Sequence, residues 1–308
     1  MSVSRIPDRR VHVRAPGKIN AFFAVGDVQP DGYHDVASVY QAVALYEDVW
    51  AEVGEGYTVE VSGTVDVAGV PLDDRNLAVR AARLVARAVG WEGGIRLEIH
   101  KGVPVAGGMG GGSADAAASL VAVNELLGGG LSAAELHALG AELGADVPFA
   151  LRGGTAVGTG RGDELAPALV RGRFDWVLVT RTDGLSTPEV YRELDVLRAE
   201  PDIRPRTAAP AVDPRVLAAL RAGDAAALAE AIVNDLQPAA IRLLPALSAV
   251  LAGGAEAGAL AGIVSGSGPT VAFLAAPGAG DDLARALRGA GHTAVATHGP
   301  VPGARVIA

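Results

Sequence analysis

Backbone, more than any side chain, carries the first chemical signal. In the stretch Pro104–Leu120, PVAGGMGGGSADAAASL, the residues Gly107, Gly108, Gly110, Gly111 and Gly112 crowd together ahead of a run of small helix formers. Glycine packs nothing and costs backbone entropy, so such a cluster marks a place where the chain turns tightly or lets a ligand come close. The helix that the composition predicts from about Ser113 to Leu127 adds unpaired N–H groups and the positive end of its dipole. A glycine loop feeding a helix N-terminus is a cradle for phosphate. A flexible surface loop is the plainer alternative, but an apolar strand and a helix bracket this one. It matches neither of the two common phosphate signatures: Ser113 stands where a P-loop needs Lys, and Ser113 or Asp115 stands where a dinucleotide fingerprint needs its third glycine.

Two charged residues sit where acid–base chemistry could be done. Lys18 follows Pro16-Gly17 and precedes Asn20 and the apolar run Ala21–Val25. It is either a solvated charge at a strand start or a cation facing inward. Asp146, in Ala145-Asp146-Val147-Pro148-Phe149, lies between a helix stop and an apolar segment. It either caps a turn, the usual use, or enters an apolar cleft where a catalytic carboxylate would be tuned. The turn at Asp31-Gly32 leads into Tyr33 and His34, which offer a stacking face and a hydrogen-bonding ring. The plainer reading is an aromatic packed on a domain edge.

The elements that must position these residues follow from the apolar pattern. Val11–Ala15 and Ile19–Val25 read as short strands around a turn at Pro16-Gly17. Residues 38–53 look extended and Tyr57–Val61 alternates like a strand. Asn76–Val89 has helical spacing and stops at Gly90, and Ile95–Ile99 alternates as a strand into the glycine loop. Ser132 with Glu135 forms a capping box ahead of a helix ending near Leu143. Phe174–Thr180 reads as a strand opening a second domain. Thr187-Pro188 starts a helix through Val190, Tyr191 and Leu194, and residues 200–214 read as a proline-rich loop. Helices are expected near 216–220, 225–234, 246–251 and 281–288. Strands at Ile263-Val264, Val271–Ala275 and Thr293–Thr297 complete the second half, with the turn Ser265-Gly266-Ser267-Gly268-Pro269-Thr270 between the first two.

Composition bounds what these parts build. The chain has 308 residues, half of them hydrophobic, with 41 glycines and 4% aromatics. That suffices for two domains, or for one large one, with cores of Ala, Val and Leu. A formal charge of -9 with no basic tract argues against a nucleic-acid backbone as the main partner. The absence of cysteine excludes disulfides and thiolate metal sites. No run of about 18 apolar residues suggests a membrane span, and the first residues lack a signal-peptide pattern. A cytoplasmic α/β or α+β protein is expected.

Together the motifs resemble the GHMP kinase superfamily. The loop Pro104–Ala114 looks like its ATP-binding loop, Pro16–Asn20 (PGKIN) like its first motif, and Ser265–Pro269 (SGSGP) like its third. Asp31-Gly32-Tyr33-His34, Asn76-Leu77-Ala78-Val79-Arg80 and residues 144–149 carry a narrower likeness, to a member whose substrate bears a cytidine diphosphate linked to methylerythritol. The resemblance implies a two-domain α+β fold, with residues 1–172 like ribosomal protein S5 domain 2 and residues 173–308 ferredoxin-like. It implies transfer of the ATP γ-phosphate to a substrate hydroxyl. By position, Asp146 matches the catalytic base and Lys18 its partner. Tyr33 and Tyr191 match an aromatic pair that sandwiches the cytosine, His34 the residue at the cytosine edge, and Asn20 a neighbour of Lys18 in the substrate site, with Ser265 and Gly266 beside them. Pro104, Val105, Ala106, Gly107, Gly108, Met109, Gly110, Gly111, Gly112, Ser113 and Ala114 would hold ATP, with Asn76 and Lys101 as candidates for the adenine pocket. Mg²⁺ would be held largely by phosphates and water, with the Ser113 hydroxyl as its protein ligand. The other expectations are a small-molecule partner and a monomer or weak homodimer. Met109 stands where Leu is frequent, Tyr191 where Phe is also seen, and residues 200–214 match nothing in the family pattern. Two alternatives stay open: a GHMP kinase acting on homoserine, mevalonate or a sugar, and a non-catalytic ligand sensor.

Overall fold

The computed structural model describes residues 9–105, 107–181, 183–200 and 209–307. Its first sheet holds Val11–Val28 (β1), His34–Gly54 (β2), Tyr57–Gly63 (β3), Gly94–Lys101 (β4), Thr155–Thr159 (β5) and Glu164–Pro167 (β6). Against it lie the helices Leu77–Val89 (α1), Gly111–Leu127 (α2), Ala133–Leu143 (α3) and Asp146–Arg152 (α4). A second sheet, fully antiparallel, is built from Phe174–Thr180 (β7), Ala261–Val264 (β8), Val271–Leu274 (β9) and Thr293–Gly299 (β10), in the order β10-β7-β9-β8. Its helices are Thr187–Arg198 (α5), Pro214–Ala222 (α6), Ala225–Ala229 (α7), Gln237–Leu243 (α8), Ala246–Glu256 (α9) and Gly280–Gly289 (α10). The last strand, Arg305–Val306 (β11), returns to the first sheet and gives the order β11-β1-β2-β4-β3, with β5 also paired to β2 and β6 to β5.

The sequence explains most of these boundaries. In β1 the alternation of Val11, Val13 and Ala15 with His12 and Arg14 puts the apolar set in the core. The Asn76 side chain caps α1, and Gly90 closes it in the left-handed region at φ 72°. Both halves of the Ser132–Glu135 capping box are present on α3. Helix α2 is buried on nearly every side, which its alanines permit by letting neighbours approach closely.

Other boundaries differ from expectation. Pro16-Gly17 is no turn; β1 runs straight through as one strand with a register irregularity. The pairing steps from Pro16↔Tyr46 to Gly17↔Val43. Proline has no N–H to give the ladder, and Gly17 lies so close to Val103 that a Cβ would sit 3.0 Å from it. Past the irregularity, the Lys18 N–H donates to the Met109 carbonyl at 2.9 Å, tying β1 to the glycine loop. Helix α2 starts at Gly111, two residues before the expected Ser113, because Gly110 adopts the left-handed cap. Residues 146–152, read as an apolar segment, form a short helix, and the helix expected over 225–234 stops at Ala229. Strands β6 and β11 and helix α8 carry too little pattern to be expected. In the 200–214 loop, residues 201–208 lie outside the described residues, and Pro214 already begins α6.

The two sheets meet through a shared core. Ile19, Phe22, Val39 and Val43 of the first pack with Phe174, Trp176, Leu178 and Leu274 of the second. A buried polar link crosses the same core. The Trp176 indole N–H donates to Gln41 Oε1 at 2.8 Å, and Gln41 Nε2 donates to Thr155 Oγ1 at 3.1 Å. Gln41→Ala leaves the indole and the threonine without that partner and opens a cavity. It is expected to lower stability by about 2 to 4 kcal/mol, read as the shift in a denaturant-unfolding midpoint.

Candidate active site

Three backbone turns converge where the sheets join. The first is the glycine loop. Gly108 (φ 72°) and Gly110 (φ 70°) both take the left-handed conformation. No side chain caps α2, so its first N–H groups are left for a ligand. The second is the turn Ser265–Thr270 between β8 and β9. A Cβ on Gly108 would lie 2.9 Å from the Ser265 carbonyl oxygen and 3.0 Å from that of Gly268. The third is the irregularity in β1 that carries Lys18 and Asn20.

Lys18 and Asp146 do meet. The Lys18 Nζ lies 3.8 Å from Asp146 Oδ2 and donates to Asn20 Oδ1 at 2.9 Å. It also sits 5.5 Å from the centre of the Tyr40 ring. Asn20 is fixed in turn. Its Nδ2 donates to Ser38 Oγ at 2.7 Å, the Ser38 hydroxyl donates to the Phe22 carbonyl, and its backbone N–H donates to Ser265 Oγ at 3.3 Å. The glycine loop passes directly over the pair: a Cβ on Gly110 would lie 3.3 Å from Lys18 Cγ and 3.8 Å from Asp146 Oδ2.

Two cavities flank this crossing. One, of about 330 Å³, is walled by Pro104, Val105 and Gly107 to Ser113 of the glycine loop, by Val70, Pro71 and Leu77, and by Lys101 and Asp115. The other, of about 210 Å³, is lined by Lys18, Asn20, Tyr40, Gly108, Gly110, Asp146, Arg161, Thr187, Tyr191, Gly266 and Ser267. Gly108 and Gly110 belong to both walls. Burial pushes the Tyr191 hydroxyl up to about 12, with the Asp146 charge adding to the shift, and burial and Asp146 likewise raise Tyr40. Both tyrosines therefore stay neutral donors beside the carboxylate.

The other sequence-derived residues are placed less uniformly. His34 is buried; its Nε2 lies 2.8 Å from Asp195 Oδ1 and its ring centre 5.1 Å from that of Tyr191. Tyr33 is 58% exposed and stacks under the Arg161 guanidinium at 4.1 Å, and Arg161 is also ion-paired to Asp31. Neither Tyr33 nor His34 lines the smaller cavity. Ser265 is buried and holds the Asn20 backbone, while Gly266 reaches the cavity wall. Asn76 caps α1 and donates to the Pro71 carbonyl at 2.7 Å, so its amide serves the cavity wall and not the space within it. Ala114 is fully buried, and Ala106 lies outside the described residues.

Lys101 is held in a sealed ion cluster. Its Nζ donates to Glu47 Oε1 at 2.8 Å and to Asp115 Oδ2 at 2.6 Å, and all three residues are at most 3% exposed. Sequence reasoning passed over both carboxylates. Asp115 did carry a signal, being a charge set among the alanines of the first half of α2 that must find a partner when buried. Also passed over was Asn234. Its Nδ2 donates to the Val264 and Gly266 carbonyls, both at 2.7 Å, and steadies the second turn.

The family model described as GHMP kinases N terminal domain matches residues 76–154, and that described as GHMP kinases C terminal matches residues 216–293. The 4-diphosphocytidyl-2-C-methyl-D-erythritol kinase of Clavibacter michiganensis subsp. michiganensis is 58% identical over 300 residues, covering 96% of each chain. A crystal structure of 4-(cytidine 5'-diphospho)-2C-methyl-D-erythritol kinase superposes with a TM-score of 0.75 at 31% identity, covering 93% of this chain and 98% of that one. The homoserine kinase of Cytophaga hutchinsonii shares the fold at a TM-score of 0.73 and 19% identity, covering all of both chains.

The ion cluster gives a pH signature. Burial, reinforced by Asp115 and opposed by Lys101, pushes the Glu47 carboxyl from the usual 4.5 up to about 8. The folded chain therefore binds this proton more tightly than the unfolded chain. That contribution to stability is full below about 4.5 and is lost as pH rises through about 8. Unfolding free energy measured across this window should fall with pH more steeply in the parent protein than in Glu47→Gln.

Proposed function

This chain belongs to the GHMP kinase family, and we propose that it transfers the γ-phosphoryl group of ATP to the 2-hydroxyl of 4-diphosphocytidyl-2-C-methyl-D-erythritol, a step of the non-mevalonate route to isoprenoid precursors. One observation carries the reading: a lysine–carboxylate pair lies directly beneath a phosphate-cradling loop, with Gly110 touching both members. The family's two-domain architecture houses it. We place the boundary between residues 172 and 173, with β11 returning from the second half to complete the first sheet.

ATP occupies the larger cavity. The N–H groups of the glycine loop and of the first turn of α2 receive the phosphates, and Val70, Pro71 and Leu77 offer the base an apolar wall. Phosphoryl transfer asks for positioning and charge neutralisation more than covalent help. Asp146 accepts the proton of the substrate hydroxyl as its oxygen bonds to the γ-phosphorus and the bond to the β-phosphate oxygen breaks. Lys18, aimed by Asn20, orients that hydroxyl and meets the charge developing on the transferred group. Lys18 and Arg161 bring positive charge to the wall facing the substrate diphosphate, and Tyr191 supplies a stacking face for the cytosine, with Tyr33 at the rim and His34 behind Tyr191. Among the described residues no trio of His, Cys, Asp or Glu is grouped to hold a metal. Ser113 lines the larger cavity, so its hydroxyl would be the protein ligand of a Mg²⁺ otherwise held by phosphate and water, since Mg²⁺ keeps much of its hydration. When bound, the ion neutralises phosphate charge.

A coupled ADP-release assay tests the reading, with the cytidylyl substrate, mevalonate, homoserine and galactose run in parallel. Turnover confined to the cytidylyl substrate is expected; turnover of another alcohol in its place overturns the substrate assignment. In the same assay Asp146→Asn should lose about 10² to 10⁴ in kcat, with ATP binding by calorimetry nearly unchanged. Unaltered turnover would remove Asp146 from the base role.

A further inference from the structure

A cation lining a phosphate cavity is expected to meet the phosphate, yet Lys101 is gripped from both sides by protein. It ends β4, and its register partner on β2 is Glu47. Asp115 reaches it from α2, so the ammonium ties the sheet to the helix that begins at the glycine loop. Glu47 reaches both ends of that loop, bonded at one and packed against the other. Its Oε2 accepts the Gly102 N–H at 3.1 Å, where the chain leaves the sheet. Its Oε1 lies against Gly111, where the helix starts and where a Cβ would come within 2.9 Å.

We propose that Glu47, Lys101 and Asp115 are positioning residues that hold the two ends of the glycine loop in register for the nucleotide phosphates, with Lys101 acting through the two carboxylates and not by touching the nucleotide. The inference rests on the kinase reading. A loop whose ends drift loses the convergence of its N–H groups, so the loss falls on ATP. The alcohol site feels the change less, because Asn20, which aims Lys18, is also held from outside the loop by Ser38 and Ser265.

The test is a double-mutant cycle on the full chain with Lys101→Met and Asp115→Asn, reading KM for ATP, KM for the alcohol and kcat. Each single variant should raise KM for ATP by about tenfold to a hundredfold. KM for the alcohol should change less than KM for ATP, and the double variant should be no worse than the worse single. Additive losses would make Lys101 an independent nucleotide ligand and overturn the proposal. Folded variants with the parent KM for ATP would overturn it as well, leaving an ion cluster that serves stability alone. Removing one partner of a buried ion group can prevent folding. If it does, the triple variant Glu47→Gln, Lys101→Met, Asp115→Asn, which carries no buried charge, decides: a folded protein with raised KM for ATP supports the proposal, and one with the parent KM refutes it. Absence of turnover in the parent protein would count against the kinase reading, whereas parent turnover with unaltered variants counts against the positioning role.

Discussion

At Gly108, backbone from two distant parts of the chain touches where no side chain fits. The carbonyls of Ser265 and Gly268 close around the position a Cβ would take, and the residue's positive φ excludes most other side chains anyway. This contact presses the glycine loop of the first half against the β8–β9 turn of the second. The residues proposed to be catalytic are arranged around that meeting. Asn234 steadies the turn, Ser265 steadies Asn20, and Asn20 aims Lys18. Lys18 then stands beside Asp146 beneath the loop. Lys18 and Asp146 come from separate elements, and the backbone contacts bring them into one place.

The electrostatics divide in a way that suits the chemistry. The transfer cavity presents Lys18 and Arg161 beside a single carboxylate, Asp146, so anionic ligands meet positive charge at the walls. The cluster under the glycine loop has the opposite balance, two carboxylates to one ammonium, and all three residues are buried. Burial raises both carboxyls against the pull of Lys101, and the Asp115 charge adds to the shift at Glu47. A proton retained there brings the cluster toward neutrality directly behind a site that must accept a triphosphate.

Much of this was legible in the sequence, for identifiable reasons. The glycine loop, the capping box of α3 and the strand Phe174–Thr180 are local patterns with one physical solution each, and the structure follows them. Lys18 and Asp146 each had two local readings, and only their shared place in a motif order joined them before the geometry did. What stayed hidden depends on partners far away in sequence. Lys101 reads as a candidate for the adenine pocket, and nothing near it in sequence reveals Glu47, 54 residues earlier, as its counter-charge. Asn76 looked like a ligand of the base because the sequence does not show that the Pro71 carbonyl takes its amide. Pro16-Gly17 read as a turn because a register irregularity inside a long strand has the same local composition as a reversal. Tyr33 read as half of a stacking pair, and Arg161, which covers its ring, lies beyond any local window.

The central claim is that Lys18 and Asp146 together receive the hydroxyl that is phosphorylated. A crystal structure of the chain with a non-hydrolysable ATP analogue and 4-diphosphocytidyl-2-C-methyl-D-erythritol tests this most directly. The account places the 2-hydroxyl oxygen within hydrogen-bond reach of Asp146 and Lys18, at roughly 3 Å, in line with a γ-phosphorus held by the glycine loop. A hydroxyl seated away from this pair, or a triphosphate bound outside the loop, would contradict it.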